Sequence, residues 1–479
     1  MELIIGMGQT GFSAGRFFRR RGVPVVGADT RGADAPREQW QRVFGCDTAL
    51  DGPIDAALLD DPRLAGLSGI VLSPGVDPAA DGIAGLLAAA RERAVPVRSD
   101  IEVAAVHAEI PYLMITGSNG KSTVTALVAD LLDAAGYRVA VGGNYGTPAL
   151  DLLARPADVL VLEVSSFQME TSDPERIRAA AATVLNVSPD HLDRHGTLDR
   201  YAALKARVMT HADTAVINLD DARVAAMAAD CEGRVVGFAA TPDASLAGAA
   251  VRYHLDADGA QLCRNGRPIV ASADIALPGR HNRLNVLAAL ALVEAFAGME
   301  ALESPALRAE LCRFEGLPHR MQAICHRKVG GGEIRFVNDS KATNEGAAVA
   351  AIDGLAEPTV VIAGGQAKGQ SFEALAEALC RHALAVVLLG EDAALIEAAV
   401  RAAGGETLPV VRAGDMEQAV QAATERAIDG LSGSSRVTVL LAPACASFDM
   451  FRGYAERGER FARAAETACS IDRETEVVT

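Results

Sequence analysis

Tyr112-Leu-Met-Ile-Thr-Gly-Ser-Asn-Gly-Lys-Ser-Thr123 places a short apolar run, a glycine turn and Gly-Lys-Ser in one unbroken segment. The run Tyr112 to Ile115 reads as a buried strand, and Ser122 to Ala135 reads as a helix. Between them, Gly117 and Gly120 let backbone N–H groups turn toward an anion, which is where a helix N-terminus binds phosphate. Lys121 supplies a cation for the terminal phosphates, and Ser122 supplies a hydroxyl for magnesium. The segment Gly117-Ser118-Asn119-Gly120-Lys121-Ser122-Thr123 is shorter than G-x-x-x-x-G-K-[ST], because Ile stands at position 115. Strand, Gly-Lys-Ser and helix together favour an ATP site over a chance glycine turn, and alone they fit many nucleotide-hydrolysing proteins.

Working outward, the same alternation of strand and helix recurs and predicts an α/β protein built on mostly parallel sheets. With 479 residues, the prior is about three domains. A first block runs from Leu3-Ile4-Ile5 through a helix to Arg21, a strand Val23 to Gly27, a strand Ile70 to Leu72 and a helix Gly82 to Arg93. It closes near Ser99. A second block holds the phosphate loop, strands Val159 to Leu162 and Thr183 to Leu185, a polar turn-rich stretch Asp256 to Pro268, and a helix Asn285 to Ala297. That polar stretch predicts a small antiparallel insertion. A third starts near Pro318, with strands Thr359 to Ala363, Ala385 to Leu389 and Val437 to Leu441 and helices Phe372 to Arg381, Ala393 to Ala403 and Met416 to Ile428. The expected domains are 1–99, 100–317 and 318–479.

The first block opens on Gly6-x-Gly8-x-x-Gly11, with Asp29 near the end of the next strand. By itself this is a dinucleotide fingerprint and points to a dehydrogenase. A diphosphate on that helix N-terminus also suits a UDP-sugar, and the more specific loop downstream weakens the redox reading.

Composition narrows the class. The net charge of -17 speaks against a nucleic-acid partner, whose backbone needs a basic surface, but not against a nucleotide. The eight cysteines form no C-x-x-C pair and read as reduced thiols. The start Met1 to Gly6 has no basic n-region, and the apolar stretch Val286 to Gly298 is too short to span a bilayer. A cytoplasmic protein with no membrane insertion is expected.

Polar residues stand where strands end. Glu163 closes Val159 to Leu162 and precedes Ser165, Ser166 and Gln168; Asn186, Asp190, His191 and Asp193 follow the next strand. The carboxyl edge of a parallel sheet is where a magnesium-binding acid is expected. A histidine at that edge can be a ligand or simply solvated. On spacing alone, Lys205, on a helix Leu198 to Met209, reads as a solvated lysine.

Taken in order, Thr116-Gly-Ser-Asn-Gly-Lys-Ser-Thr123, Glu163-Val-Ser-Ser-Phe-Gln168, Asn186-Val-Ser-Pro-Asp-His-Leu-Asp193, His281-Asn282, Leu317-Pro-His-Arg320, Asn338-Asp-Ser-Lys-Ala-Thr-Asn344 and Pro443-Ala-Cys-Ala-Ser447 resemble the Mur ligases from end to end. The resemblance is strongest to the branch that adds D-glutamate to UDP-N-acetylmuramoyl-L-alanine in peptidoglycan precursor synthesis. It implies a UDP-binding Rossmann-like domain, a central ATPase domain with a mixed sheet and a Rossmann-like C-terminal domain. It implies that Gln9, Thr10, Asp29, Thr30, Arg31, Ser73, Gly75, Asn144, Ser165 and Gln168 surround the UDP-linked substrate. Lys341, Thr343, Lys368, Ser447 and Phe448 are implied for D-glutamate, and Asn282, Arg320 and Asp339 for ATP. Two magnesium ions are implied, held by Ser122, Glu163, His191 and a carbamylated Lys205, with Lys121, Glu163, His191 and Lys205 forming the catalytic set. ATP is expected between the central and C-terminal domains. The first strand starts almost at Met1, so a cap that usually precedes it in the family is expected to be missing.

The reaction so implied is amide formation through an acyl phosphate made from ATP, by a chain expected to act as a monomer. The rivals are a sibling ligase for L-alanine, a diamino acid or folate-linked glutamate, a dehydrogenase using the Gly6 fingerprint, and a non-catalytic UDP-sugar binder. The Asn338 to Asn344 segment favours D-glutamate among the siblings. The grouping of Glu163, His191 and Lys205 speaks against the binder.

Overall fold

A computed structural model describes residues 1–244, 249, 251–277, 279–355, 357–367 and 369–470. It contains three sheets. The first is parallel, in the spatial order Val25–Ala28, Glu2–Ile5, Gly69–Leu72, Val97–Arg98. All residues of its first three strands are buried, as strands covered on both faces must be. Helices Gln9–Arg20 and Ile83–Glu92 pack around it, and the single tryptophan, Trp40, is fully buried beside Gly27. The helix after the fingerprint sits hard against the first strand: a Cβ on Gly11 would come within 2.0 Å of the Gly6 carbonyl oxygen.

The second sheet has nine strands. Its parallel part runs Val251–Leu255, Arg234–Ala239, Thr214–Asn218, Ala181–Val184, Tyr112–Thr116, Val159–Glu163, Val139–Gly143. At the Val251 edge, Gln261–Arg264 and Arg267–Ala271 add antiparallel strands, so the polar stretch is the expected insertion. The helices predicted around this sheet appear as Lys121–Ala134, Leu198–Ala206 and Arg280–Ala297.

The third sheet has six strands, in the order Gln322–Val329, Gly332–Asn338, Arg436–Leu441, Thr359–Gly364, Ala383–Leu389, Val410–Arg412. The first pair is an antiparallel hairpin, and the rest is parallel. Helices Glu373–His382, Ala393–Ala402 and Met416–Gly430 lie where the apolar periodicity puts them.

The chain divides into two compact units. The first comprises Met1–Val187, Arg194–Asp274 and Leu284–Cys312 and holds the first two sheets; the second comprises Ser188–Asp193, Ile275–Arg283 and the chain from Arg313 onward and holds the third. Among the described residues no helix is long and apolar enough to cross a membrane.

One expectation is corrected. Cys325 and Cys469, 144 residues apart, form a disulfide with Cα atoms 6.8 Å apart. They sit on strand Gln322–Val329 and helix Tyr454–Ser470, which pack together, and no local spacing reveals such a pairing. The other six cysteines are free.

A pH-dependent tie lies in the first unit. The His211 imidazole is almost enclosed, with Nδ1 2.8 Å from Glu232 Oε2 and Nε2 3.1 Å from Glu175 Oε1. Hydrogen bonding to Glu232 raises its pKa above the ordinary 6.5, with burial opposing and the charges of both glutamates assisting. A raised histidine pKa contributes stability that is complete below the unfolded-state value and is lost as pH rises through the folded-state value. The melting-temperature gap between the wild type and His211→Gln is therefore expected to be larger at about pH 6 than at about pH 9. Both glutamates are largely exposed, so the effect is small. A gap that grows with pH contradicts the assignment.

Candidate active site

The phosphate loop joins strand Tyr112–Thr116 to helix Lys121–Ala134. Gly120 takes φ +83°, and a Cβ there would lie 2.6 Å from Asn285 Oδ1, so only glycine fits the turn. Asn186 braces the loop from the neighbouring strand end. Its Oδ1 accepts from the Asn119 N–H at 2.8 Å, its carbonyl accepts from the Ser118 N–H at 2.9 Å, and its Nδ2 donates to the Asn119 carbonyl at 3.1 Å. The sequence marked Asn186 as a polar residue at a strand end and as the start of the motif Asn186 to Asp193, with no role of its own.

Five predicted residues, Ser122, Glu163, Asn144, Lys121 and Lys205, meet at this loop. Ser122 Oγ donates to Glu163 Oε2 at 2.5 Å, and Asn144 Nδ2 donates to Glu163 Oε1 at 2.7 Å. Glu163 is 2% exposed, at the end of its strand as expected. Lys121 Nζ donates to the carbonyls of Gly117 and Ser118, at 2.8 and 2.9 Å. Lys205 Nζ donates to the same Gly117 carbonyl at 2.8 Å and sits 4.3 Å from the centroid of the Tyr201 ring. Lys205 is 1% exposed, which overturns the reading of a solvated helix lysine.

Ser122 and Glu163 are hard oxygen donors side by side, the chemistry magnesium takes when waters and phosphate oxygens complete its shell. Among the described residues no three His, Cys, Asp or Glu side chains form a cage for a metal ion. The donor set fits an ion held largely by a nucleotide, and a second ion needs one more anionic ligand.

A cavity of about 400 Å³ lies in the first unit and shares Asn144 with the loop site. Its lining includes Gln9, Thr10, Asp29, Thr30, Arg31, Ser73, Gly75, Asn144 and Gln168, so nine of the ten residues assigned to the UDP-linked substrate are brought together. Ser165 is not in that lining; it caps helix Ser166–Glu170 in a reciprocal box with Gln168. The Gln168 amide also donates to both Asp100 oxygens, at 3.2 and 3.1 Å. Burial pushes the Asp100 carboxyl up to about 6 against that hydrogen bond. Asp29 is occupied by its neighbours: Arg31 pairs with it at 2.6 Å, and the Met7 N–H donates to it at 2.6 Å. Burial opposes its charged form, but the bonds from Arg31 and Met7 outweigh burial and hold the carboxyl below its usual range. In this arrangement Asp29 holds the Nε and Nη2 of a half-exposed Arg31 guanidinium, whose outer edge faces the cavity side of the pair.

The other predicted residues belong to the second unit. His191 takes φ +54° next to Asp190, with Nε2 3.6 Å from Asp190 Oδ2. Asn344, which caps helix Glu345–Asp353, donates to the same Asp190 oxygen at 3.1 Å. His191 thus groups with the second unit, while Glu163 and Lys205 belong to the first. Asn282 is buried in the first turn of helix Arg280–Ala297, beside a His281 imidazole that burial lowers to about 4.

Asp339, Lys341 and Thr343 follow strand Gly332–Asn338. Burial pushes the Asp339 carboxyl up to about 7, against a hydrogen bond from the Met321 N–H and the charge of Arg320. Lys341 Nζ lies 4.2 Å from the Tyr454 ring centroid. Ser447 is buried, whereas Phe448 is 67% exposed. Lys368 lies outside the described residues. The sequence did not flag Arg457, a buried arginine that donates to the carbonyls of Ser340 and Cys445 and so ties the Asp339 and Ser447 segments together. Only its charge on an otherwise amphipathic helix gave any signal.

Comparison with known proteins agrees with this layout. Residues 1–97 match the Mur ligase MurD-like N-terminal domain, 115–293 the Mur ligase middle domain and 319–445 the Mur ligase glutamate ligase domain. The UDP-N-acetylmuramoylalanine--D-glutamate ligase of Aromatoleum aromaticum is 41% identical, covering 97% of this chain and 96% of its own. The protein of the same name from Pseudomonas aeruginosa is 39% identical, with 97% of each chain covered. Among solved structures, the UDP-N-acetylmuramate-alanine ligase MurC of Thermotoga maritima aligns with a TM-score of 0.54 at 17% identity, over 98% of this chain and 99% of that one. The folylpolyglutamate synthase of Mycobacterium tuberculosis, complexed with ADP and AMPPCP, aligns with a TM-score of 0.54 at 19% identity, over 77% and 95%. At those identities the structures show a shared fold.

Proposed function

The chain belongs to the Mur ligase family, and on that premise we infer that it is an ATP-dependent ligase joining D-glutamate to UDP-N-acetylmuramoylalanine. The observation that carries this is the match at about 40% identity over nearly the whole chain to relatives bearing that activity in their name. The dehydrogenase reading of the Gly6 fingerprint falls with it.

The chemistry starts with the substrate carboxylate attacking the γ-phosphorus of ATP. An O–P bond forms, the bridging P–O bond breaks, and ADP leaves with the electron pair. The amine of D-glutamate then attacks the acyl carbon, the C–O bond breaks, phosphate leaves, and the amine gives up a proton. Lys121 and the loop N–H groups neutralise charge on the phosphoryl oxygens. Magnesium, when bound, spreads that charge further, with Ser122 and Glu163 as its protein ligands. Arg31, aimed by Asp29, takes the diphosphate side of the UDP substrate. Asn282, Arg320 and Asp339 are assigned to ATP, and Lys341, Thr343, Lys368, Ser447 and Phe448 to D-glutamate. His191 is assigned to a second ion or to the incoming amine. Division into domains 1–99, 100–317 and 318–479, a monomeric state and a cytoplasmic location complete the proposal.

Lys205 is proposed as a carbamate. The ammonium first gives up a proton, the neutral nitrogen then bonds to the carbon of carbon dioxide, and a second proton passes to water as the N–H carbamate anion forms. Supporting this, Lys121 and Lys205 donate to one carbonyl oxygen, so their ammonium groups lie no further apart than twice 2.8 Å. Converting one to an anion removes that repulsion and supplies the missing ligand.

The acyl-phosphate route is tested with substrate whose carboxylate carries oxygen-18. One labelled oxygen is expected in each phosphate released; unlabelled phosphate contradicts the route.

A further inference from the structure

Ser166, Glu170 and His195 form a buried chain that none of the assignments above uses. Ser166 and Glu170 stand four positions apart on one short helix, hence on one face. Ser166 Oγ lies 3.0 Å from His195 Nε2, and Glu170 Oε1 lies 3.3 Å from His195 Nδ1. The order serine, histidine, carboxylate is that of a nucleophilic triad. All three side chains are buried, however, so no acyl donor reaches the hydroxyl. The arrangement holds a ring in place instead.

That ring packs against Phe167 at 5.2 Å and stacks on Tyr201 at 5.3 Å. Tyr201 in turn touches both halves of the loop site. Its ring lies under Lys205 Nζ, and its hydroxyl accepts from Ser118 Oγ at 3.3 Å. The helices bearing Glu170 and His195 have five and four residues, too short to fix their own orientation through backbone bonds. Side chains must do it. Arg194 anchors the far side of Glu170 at 2.7 Å and Arg200 approaches it at 3.9 Å, so the carboxylate is held while it faces the imidazole.

We propose that His195 is a positioning residue for the ligase reaction: paired with Ser166 through Nε2 and faced by the Glu170 carboxylate at Nδ1, it fixes Tyr201 and thereby places Lys205 against the phosphate loop. The inference rests on the proposed ligase reading and on Lys205 as its carbamate. His195→Phe keeps an aromatic ring on Tyr201 but loses both polar partners. Ser166→Ala removes one partner with little change in volume, which covers the case where the first variant fails to fold. His195→Gln is the conservative replacement, retaining an amide for Ser166.

Each variant is assayed for kcat and for KM of ATP and the UDP substrate. The Lys205 carbamate is followed by carbon-13 NMR in labelled bicarbonate, and melting temperature is recorded. Displacing a reacting group by about 1 Å costs on the order of 100-fold, so His195→Phe is expected to lose about that much in kcat, with both KM values unchanged. Its carbamate signal is weakened or shifted, added bicarbonate restores part of the rate, Ser166→Ala is intermediate, and His195→Gln recovers most of the activity. Unchanged kcat in folded His195→Phe and Ser166→Ala overturns the inference, as does an unaltered carbamate signal beside a lowered kcat. A wild-type enzyme that shows no carbamate overturns the Lys205 assignment and, with it, this inference. A wild type that makes no amide product fails the ligase reading itself.

Discussion

Replacing Lys121 by alanine is expected to slow the ADP release that requires both the UDP substrate and D-glutamate by about 100- to 1000-fold. Lys121 is the first residue of its helix, and its ammonium is held over the loop by the carbonyls of Gly117 and Ser118. A phosphate seated on the loop N–H groups lies beside that charge. In phosphoryl transfer there is little covalent work for the protein, and catalysis is positioning together with neutralisation of the equatorial oxygens. Losing one preorganised donor in a site of this kind costs about 10²–10³ in kcat. Lys121 is only part-buried and is not a core residue, so the melting temperature is expected to hold. Turnover at the wild-type rate removes this loop from the mechanism.

Lys205→Ala is expected to be inactive for a different reason. Lys205 is among the largest fully buried side chains, so truncation opens a gap next to Tyr201 and the loop. A short carboxylate, formate or acetate, fits such a gap and restores the anion that the carbamate provides. Partial return of activity with added carboxylate is therefore expected, saturating with concentration and absent in Lys205→Met, which fills the space with an apolar chain. Full activity without any additive contradicts the metal-ligand role. On the proposed assignment both variants act on the same loop by opposite charges, Lys121 serving as a cation and the Lys205 carbamate as an anion.

Much of this is legible in the sequence. Buried parallel strands are continuous apolar runs, so Val159–Glu163 and Thr359–Gly364 stand out, and the helices of the third sheet have strong apolar periodicity. The hairpin Gln322–Val329 with Gly332–Asn338 does not. Its outer strand is half-exposed and carries His326, Arg327 and Lys328, so no apolar run marks it. Helix Tyr454–Ser470 is hidden in the same way by its charged residues, although it buries Arg457 and Phe461. Around the loop, Ser122 and Glu163 were readable because strand ends at one sheet edge converge. The burial of Lys205 was not, since its enclosure comes from Tyr201 and the loop, 88 positions away at Gly117. His195 was invisible for the same reason, its partner Ser166 being 29 positions distant on another short helix. Long motifs carry the identity of a site; long-range contacts set the state of its groups.

The most direct test is a panel of amino acids offered one at a time with UDP-N-acetylmuramoyl-L-alanine, ATP and magnesium, with phosphate release as the readout. D-glutamate alone is expected to drive sustained release and to yield the amide product. Equal or greater release with L-alanine, a diamino acid or L-glutamate, or release with no amino acid at all, contradicts the account.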